Sequence, residues 1–141
     1  MTERRPSSPG ATAAEHRQAH EPPPVVAKRG WRYHHLGIPT AVQRPDEIYL
    51  EELKLHVSGF PTSPHGIEWM RFDEDSPLHP LIKTLPHVAF EVEDLDAALE
   101  GEEIIHPPGS PSAGVRAAMI AVDGAPVELI CFRRPGEPFA E

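Results

Sequence analysis

The chain has only one cysteine, Cys131, in 141 residues. No disulfide can form within it, and the apolar run around that residue (Val127-Glu128-Leu129-Ile130-Cys131-Phe132) marks it as a small packed hydrophobe rather than a nucleophile. No apolar stretch approaches the ~20 residues that cross a bilayer. The first twenty residues carry charge and proline where a secretory signal would be apolar, so the expected location is cytoplasmic. Basic residues are the minority, 13 against 22 acidic ones for a net charge of −9. Residues 1–30 hold five of the basic groups and three of the acidic ones, which leaves the rest strongly acidic. Nucleic acid and anionic membranes are therefore excluded as expected partners, because both need a basic patch to displace counterions. The length also excludes a second independent domain of ordinary size.

Apolar periodicity is missing from residues 1–30, where Pro6, Pro9 and the run Pro22-Pro23-Pro24 stand. Such a segment cannot bury enough to offset its ordering entropy and is expected to be a disordered tail. From Trp31 the texture changes. Short β-branched and aromatic stretches bounded by Pro, Gly, Asp or Ser predict strands over 34–39, 48–57, 66–72, 87–92, 115–122 and 126–132. One helix is predicted at 94–100, with Asp94 as cap, acid in the first turn and Gly101 as the stop. The folded domain is expected over 31–134, followed by a short C-terminal tail at 135–141.

The domain contains an internal repeat. Gly66-Ile67-Glu68-Trp69-Met70-Arg71-Phe72 and Pro126-Val127-Glu128-Leu129-Ile130-Cys131-Phe132 share one pattern, and His35-Leu36-Gly37-Ile38 and His87-Val88-Ala89-Phe90 share another. His precedes Glu in each half. Two copies of one supersecondary unit, here 31–76 and 84–134, can pair into a single domain when neither buries its face alone. With a period of two, His35, Glu68, His87 and Glu128 can line the concave side of one curved sheet. Neutral imidazoles and carboxylates suit one divalent ion: Zn, Ni, Mn, Fe or Co. His34 is expected to point away from His35, and its removal to leave metal binding nearly unchanged. His65, His79 and His106 are expected in loops. Lys54 and His56 alternate with Leu53, Leu55 and Val57, which makes them candidate substrate contacts.

Tyr33-His34-His35-Leu36-Gly37-Ile38-Pro39, Gly66-Ile67-Glu68-Trp69-Met70, Pro86-His87-Val88-Ala89-Phe90-Glu91-Val92 with Asp94-Leu95-Asp96, and Pro126-Val127-Glu128-Leu129 together resemble the vicinal oxygen chelate superfamily. That superfamily includes glyoxalase I, methylmalonyl-CoA epimerase, extradiol dioxygenases and bleomycin-binding proteins. The resemblance implies an α+β fold of paired βαβββ modules, forming a curved mixed sheet around a metal cleft. It assigns the metal-ligand role to His35, Glu68, His87 and Glu128 in the order used by the lyase and epimerase branches. The segment Ala41-Val42-Gln43-Arg44-Pro45-Asp46-Glu47 departs from the pattern, so the first helix is expected to be shortened or missing. The implied activity is a metal-dependent lyase or isomerase that acts on a small oxygen-rich substrate through an enolate-type intermediate, with Glu68 or Glu128 as general base. The alternatives are a non-catalytic binder of the bleomycin-resistance type and a non-haem iron dioxygenase using His35, His87 and Glu128. A homodimer is the expected assembly.

Overall fold

The structure, a computed structural model, describes residues 21–133. It divides after Gly30 into two units. Of the expected N-terminal tail, residues 1–20 lie outside the described residues, as does the tail expected at 135–141. The described part of the first unit holds one helical turn, α1 (Pro24–Ala27), none of whose residues is buried. Pro24 opens that turn, where its missing N–H leaves no hydrogen bond unmade.

The second unit carries β1 (Arg32–Pro39), β2 (Ile48–Leu50), β3 (Leu55–Ser58), β4 (Ile67–Phe72), α2 (Pro80–Thr84), β5 (His87–Glu91), α3 (Leu95–Leu99), β6 (Glu103–Gly109), β7 (Val115–Val122) and β8 (Ala125–Phe132). Its strands form one mixed sheet, curled into a half-barrel, in the order β2-β3-β4-β1-β5-β8-β7-β6. The antiparallel pair β1·β5 lies at the centre, with β4 parallel to β1 on one side and β8 parallel to β5 on the other. Read outward from the centre, each half runs first, fourth, third, second strand. This is the α+β architecture that the resemblance implies. Among the described residues no helix is long and apolar enough to cross a membrane.

Between β1 and β2, where the second half has α3 between β5 and β6, residues 40–47 form no helix. Pro45 biases Arg44 away from helical backbone, and side chains of the segment bind the sheet instead. Glu47 accepts two hydrogen bonds from Arg71, from Nε at 2.8 Å and Nη2 at 2.7 Å, and the Arg44 guanidinium lies 5.9 Å from the Trp69 ring centroid. Alternation on β4 turns Trp69 and Arg71 away from the face that carries Glu68 and Met70. α3 forms as predicted: the Asp94 carboxylate accepts from Ala97 N at 3.1 Å, and Gly101 follows with φ of 75°. Leu95, Ala98 and Leu99 are buried, and the helix packs on β7 and β8.

Three local readings change. The single strand expected at 48–57 is a hairpin, β2 and β3, joined by a 3₁₀ turn over Glu51–Leu53 and by Lys54 at φ 51°. Residues 103–109 form a strand despite Pro107 and Pro108. They sit at the sheet edge, where a missing donor is tolerated. The Pro77–Pro80 linker leads directly into α2, whose first turn is capped by His79 Nδ1 accepting from Leu81 N at 3.0 Å. α2 presents Ile82 to a core cluster with Leu55, Leu78, Met70 and Met119. Each such side chain contributes about 1.5–3 kcal/mol by leaving water.

Candidate metal centre

The four central strands carry the four residues singled out by the repeat. His35 is on β1, Glu68 on β4, His87 on β5 and Glu128 on β8, and strand register brings them to one place. Gly37 pairs with Glu68 on one side and with His87 on the other, while Ala89 pairs with His35 and Glu128. His35 Nε2 lies 3.1 Å from Glu128 Oε1, and His87 Nε2 lies 3.0 Å from the same oxygen. Glu68 Oε1 stands 3.6 Å from His35 Nε2. The ligand atoms of His35, His87 and Glu128 all lie within 4.8 Å of one another, and Glu68 sits beside this tighter group. All four residues line a cavity of about 510 Å³.

Small residues make room for the rings. A Cβ on Gly37 would lie 2.2 Å from His87 Cε1, far inside contact distance, so the glycine provides the space that the imidazole occupies. Ala89, fully buried, holds the equivalent place on β5. The signal for both was present in the sequence as the small third position of the repeated His-apolar-small-apolar motif.

The protonation preferences follow from these contacts. Burial pushes the Glu128 carboxyl up, but hydrogen bonds and charge from His35 and His87 prevail and hold it at about 2. Burial pulls His35 down, and Glu128 with Glu68 more than reverses this, leaving its pKa above the usual histidine value. Glu68 goes the other way. Burial is the main cause of its raised pKa, Glu128 adds repulsion, and the histidines offset part of it. The two carboxyls thus differ in role, one firmly ionised and one more ready to hold a proton.

His34 does not point away from the site. Register shifts between Tyr33 and His35 on the β1·β5 ladder, and the resulting bulge brings two successive side chains to the same face. His34 lines the cavity, its Nδ1 is 2.7 Å from His35 Nδ1, and its ring stacks on Phe60 with centroids 5.0 Å apart. His35 is therefore supported from behind. His87 is not, since its Nδ1 is buried without a hydrogen-bond partner. His106, expected in a loop, lies on β6 and also lines the cavity.

Lys54 and His56 are outside the cavity. The alternation exists with the opposite sense: Leu53, Leu55 and Val57 line the cavity, because the apolar face is the one that gains by burial. Lys54 Nζ binds the Asp75 carboxylate, and His56 Nε2 lies 3.1 Å from Asp73 Oδ1 with Glu47 nearby.

The donor set suits a divalent ion. In an octahedral arrangement, bonds of about 2.0–2.2 Å to imidazole nitrogen and carboxylate oxygen place neighbouring ligand atoms about 3 Å apart, which is the spacing of Glu128 Oε1 from the two Nε2 atoms. Two imidazoles and a carboxylate, with a second carboxylate adjacent, match first-row ions rather than calcium, which prefers oxygen alone.

The strand order and curled mixed sheet agree with the α+β fold that the resemblance implies, and solved structures share that fold. Among solved structures, the chain is similar to hypothetical protein BH1468 from Bacillus halodurans C-125, with 15% identity, a TM-score of 0.57, and coverage of 77% of this chain and 99% of that one. It is also similar to methylmalonyl-CoA epimerase from Mycobacterium tuberculosis, with 20% identity, a TM-score of 0.53, and coverage of 73% and 89% respectively. No protein-family model and no curated protein matches the chain.

Proposed function

We propose that this protein is a divalent-metal-dependent lyase or isomerase acting on a small oxygen-rich substrate through an enolate-type intermediate. The observation that carries the reading is the convergence of His35 and His87 Nε2 on one oxygen of Glu128, with Glu68 alongside, inside a cavity of ligand size. The epimerase among the structural neighbours belongs to the same reaction class. In this scheme His35, His87 and Glu128 hold the ion, and Glu68 completes the set. A bound divalent ion supplies Lewis-acid stabilisation of negative charge on a substrate oxygen. Glu68 is the proton carrier: it stands outside the tighter group, and burial raises its proton affinity towards the range a general base uses. Glu128, firmly ionised, stays a ligand.

The tighter group favours a second reading, because His35, His87 and Glu128 are the two-histidine, one-carboxylate face of non-haem iron oxygenases. Oxygen consumption with catechols by iron-loaded protein tests it. The proposal also includes a cytoplasmic homodimer of two-module chains, with the assembly state read by light scattering.

The first experiment is elemental analysis of the purified protein and of His87→Ala. About one Ni, Zn, Mn, Fe or Co per chain in the wild type, lost in the variant, is the expected result. A wild type that stays metal-free after incubation with each ion overturns the metal reading and leaves a plain binding cleft.

A further inference from the structure

We infer that the cavity selects substrates with an uncharged, apolar body and rejects those bearing a carboxylate or phosphate away from the chelating oxygens. This inference rests on the metal reading above and specifies the substrate class for that site.

The wall beyond the donor residues is built from Leu55, Val57, Met70, Ile82, Met119 and Ile130. Its remaining polar groups are neutral or acidic: His34, Ser110, Ser112, His106 and Glu52. Burial holds His106 below the usual histidine value, so it adds no positive charge near neutral pH. Among the described residues, no lysine or arginine lines the cavity. Six of the described cations are committed elsewhere: Arg32 to Glu91, Arg44 to Asp46, Lys54 to Asp75, Arg71 to Glu47, Arg116 to Asp96, and Lys83 to the Ser76 carbonyl.

Charge at the centre gives no surplus to offset this. A divalent ion is balanced by Glu68 and Glu128, and Glu52 leaves the cavity as a whole negative. A distal anion entering such a space loses its hydration and meets Glu52 with only hydroxyls and neutral imidazoles to offset it among the lining side chains, whereas an alkyl or aryl body gains by covering the aliphatic wall. Anion-binding sites normally supply Arg, Lys or a row of backbone N–H groups for this purpose.

The test uses two probes with the same chelating head and different distal groups: 4-methylcatechol and 3,4-dihydroxybenzoate. The full-length protein is loaded with the ion that elemental analysis identifies, and both probes are titrated calorimetrically near neutral pH. Methylcatechol is expected to bind at least tenfold more tightly. Glu52→Lys, an exposed substitution at the cavity edge, should narrow the gap at least threefold by strengthening dihydroxybenzoate binding. Equal or tighter binding of dihydroxybenzoate by the wild type overturns the inference while leaving the metal reading intact. A gap that Glu52→Lys does not change assigns discrimination to something other than charge and also overturns it. Failure to load any ion, seen before a probe is added, overturns the metal reading and this inference with it.

Discussion

The 2.7 Å contact between His34 and His35 joins a side chain outside the donor group to one inside it. When His35 Nε2 serves as a ligand, its ring proton sits on Nδ1 and donates to His34 Nδ1, which fixes both tautomer and ring orientation. His34→Ala is therefore expected to weaken metal affinity by about 10–100-fold, the usual cost of losing such a partner, measured by competition with a chelating dye. The sequence alone points the opposite way. It placed His34 on the far face by counting in twos from His35, and a bulge changes that parity without leaving a mark in composition. That these four residues converge was legible because the two halves repeat, so that four residues with ordinary individual explanations recur as an ordered pair of pairs. Glu68 and Glu128 could not be told apart at that level, since the difference lies in which carboxylate both imidazoles reach.

At the scale of elements, α2 is the piece whose contribution exceeds its length. It has five residues, a histidine cap and one fully buried side chain, and that side chain belongs both to the core cluster and to the cavity wall. Ile82→Ala is expected to cost about 2–5 kcal/mol, read as a lower urea midpoint with an unchanged slope, and to enlarge the cavity beneath the donors. The missing helix after β1 was readable because the segment 41–47 departs from the pattern of the superfamily that the chain resembles. What takes its place was not. The Glu47–Arg71 pair and the Arg44–Trp69 contact depend on side chains brought together by strand register. Strand β6 was hidden by its two prolines, which read as loop until the strand is known to lie on an edge. For Lys54 and His56 the alternation was right and its sense was wrong, and burial of the Leu55/Val57 face decided between the two.

For the molecule as a whole, protonation of the central cluster sets how stability varies with pH and, on the proposed function, ties folding to metal binding. Glu128 is held at about 2, below its unfolded value, so its contribution to stability is present above about pH 4.3 and is lost as pH falls towards 2. His35 is raised, so its contribution is present below about pH 6.5 and disappears as pH rises through the folded value. Chelator-treated protein should accordingly be most thermostable between those limits, as measured by melting temperature against pH. Metal binding should run the other way, strengthening as pH rises and releasing protons, because the ion displaces the proton shared by His35 and Glu128. Calorimetry in buffers of different ionisation enthalpy counts those protons. The sheet order that allows this coupling places one histidine and one glutamate from each half at the central seam, so neither half contains the centre alone.

The space at Gly37 has a consequence for how the chain can vary. The atom absent from β1 and the ring present on β5 occupy the same volume, so positions 37 and 87 form one choice rather than two. A side chain becomes admissible at 37 only when something smaller than imidazole stands at 87, and that exchange removes one of the two imidazoles that meet at Glu128. A drift away from metal chemistry would show as a paired replacement across the central seam, with the fold's outer strands left untouched.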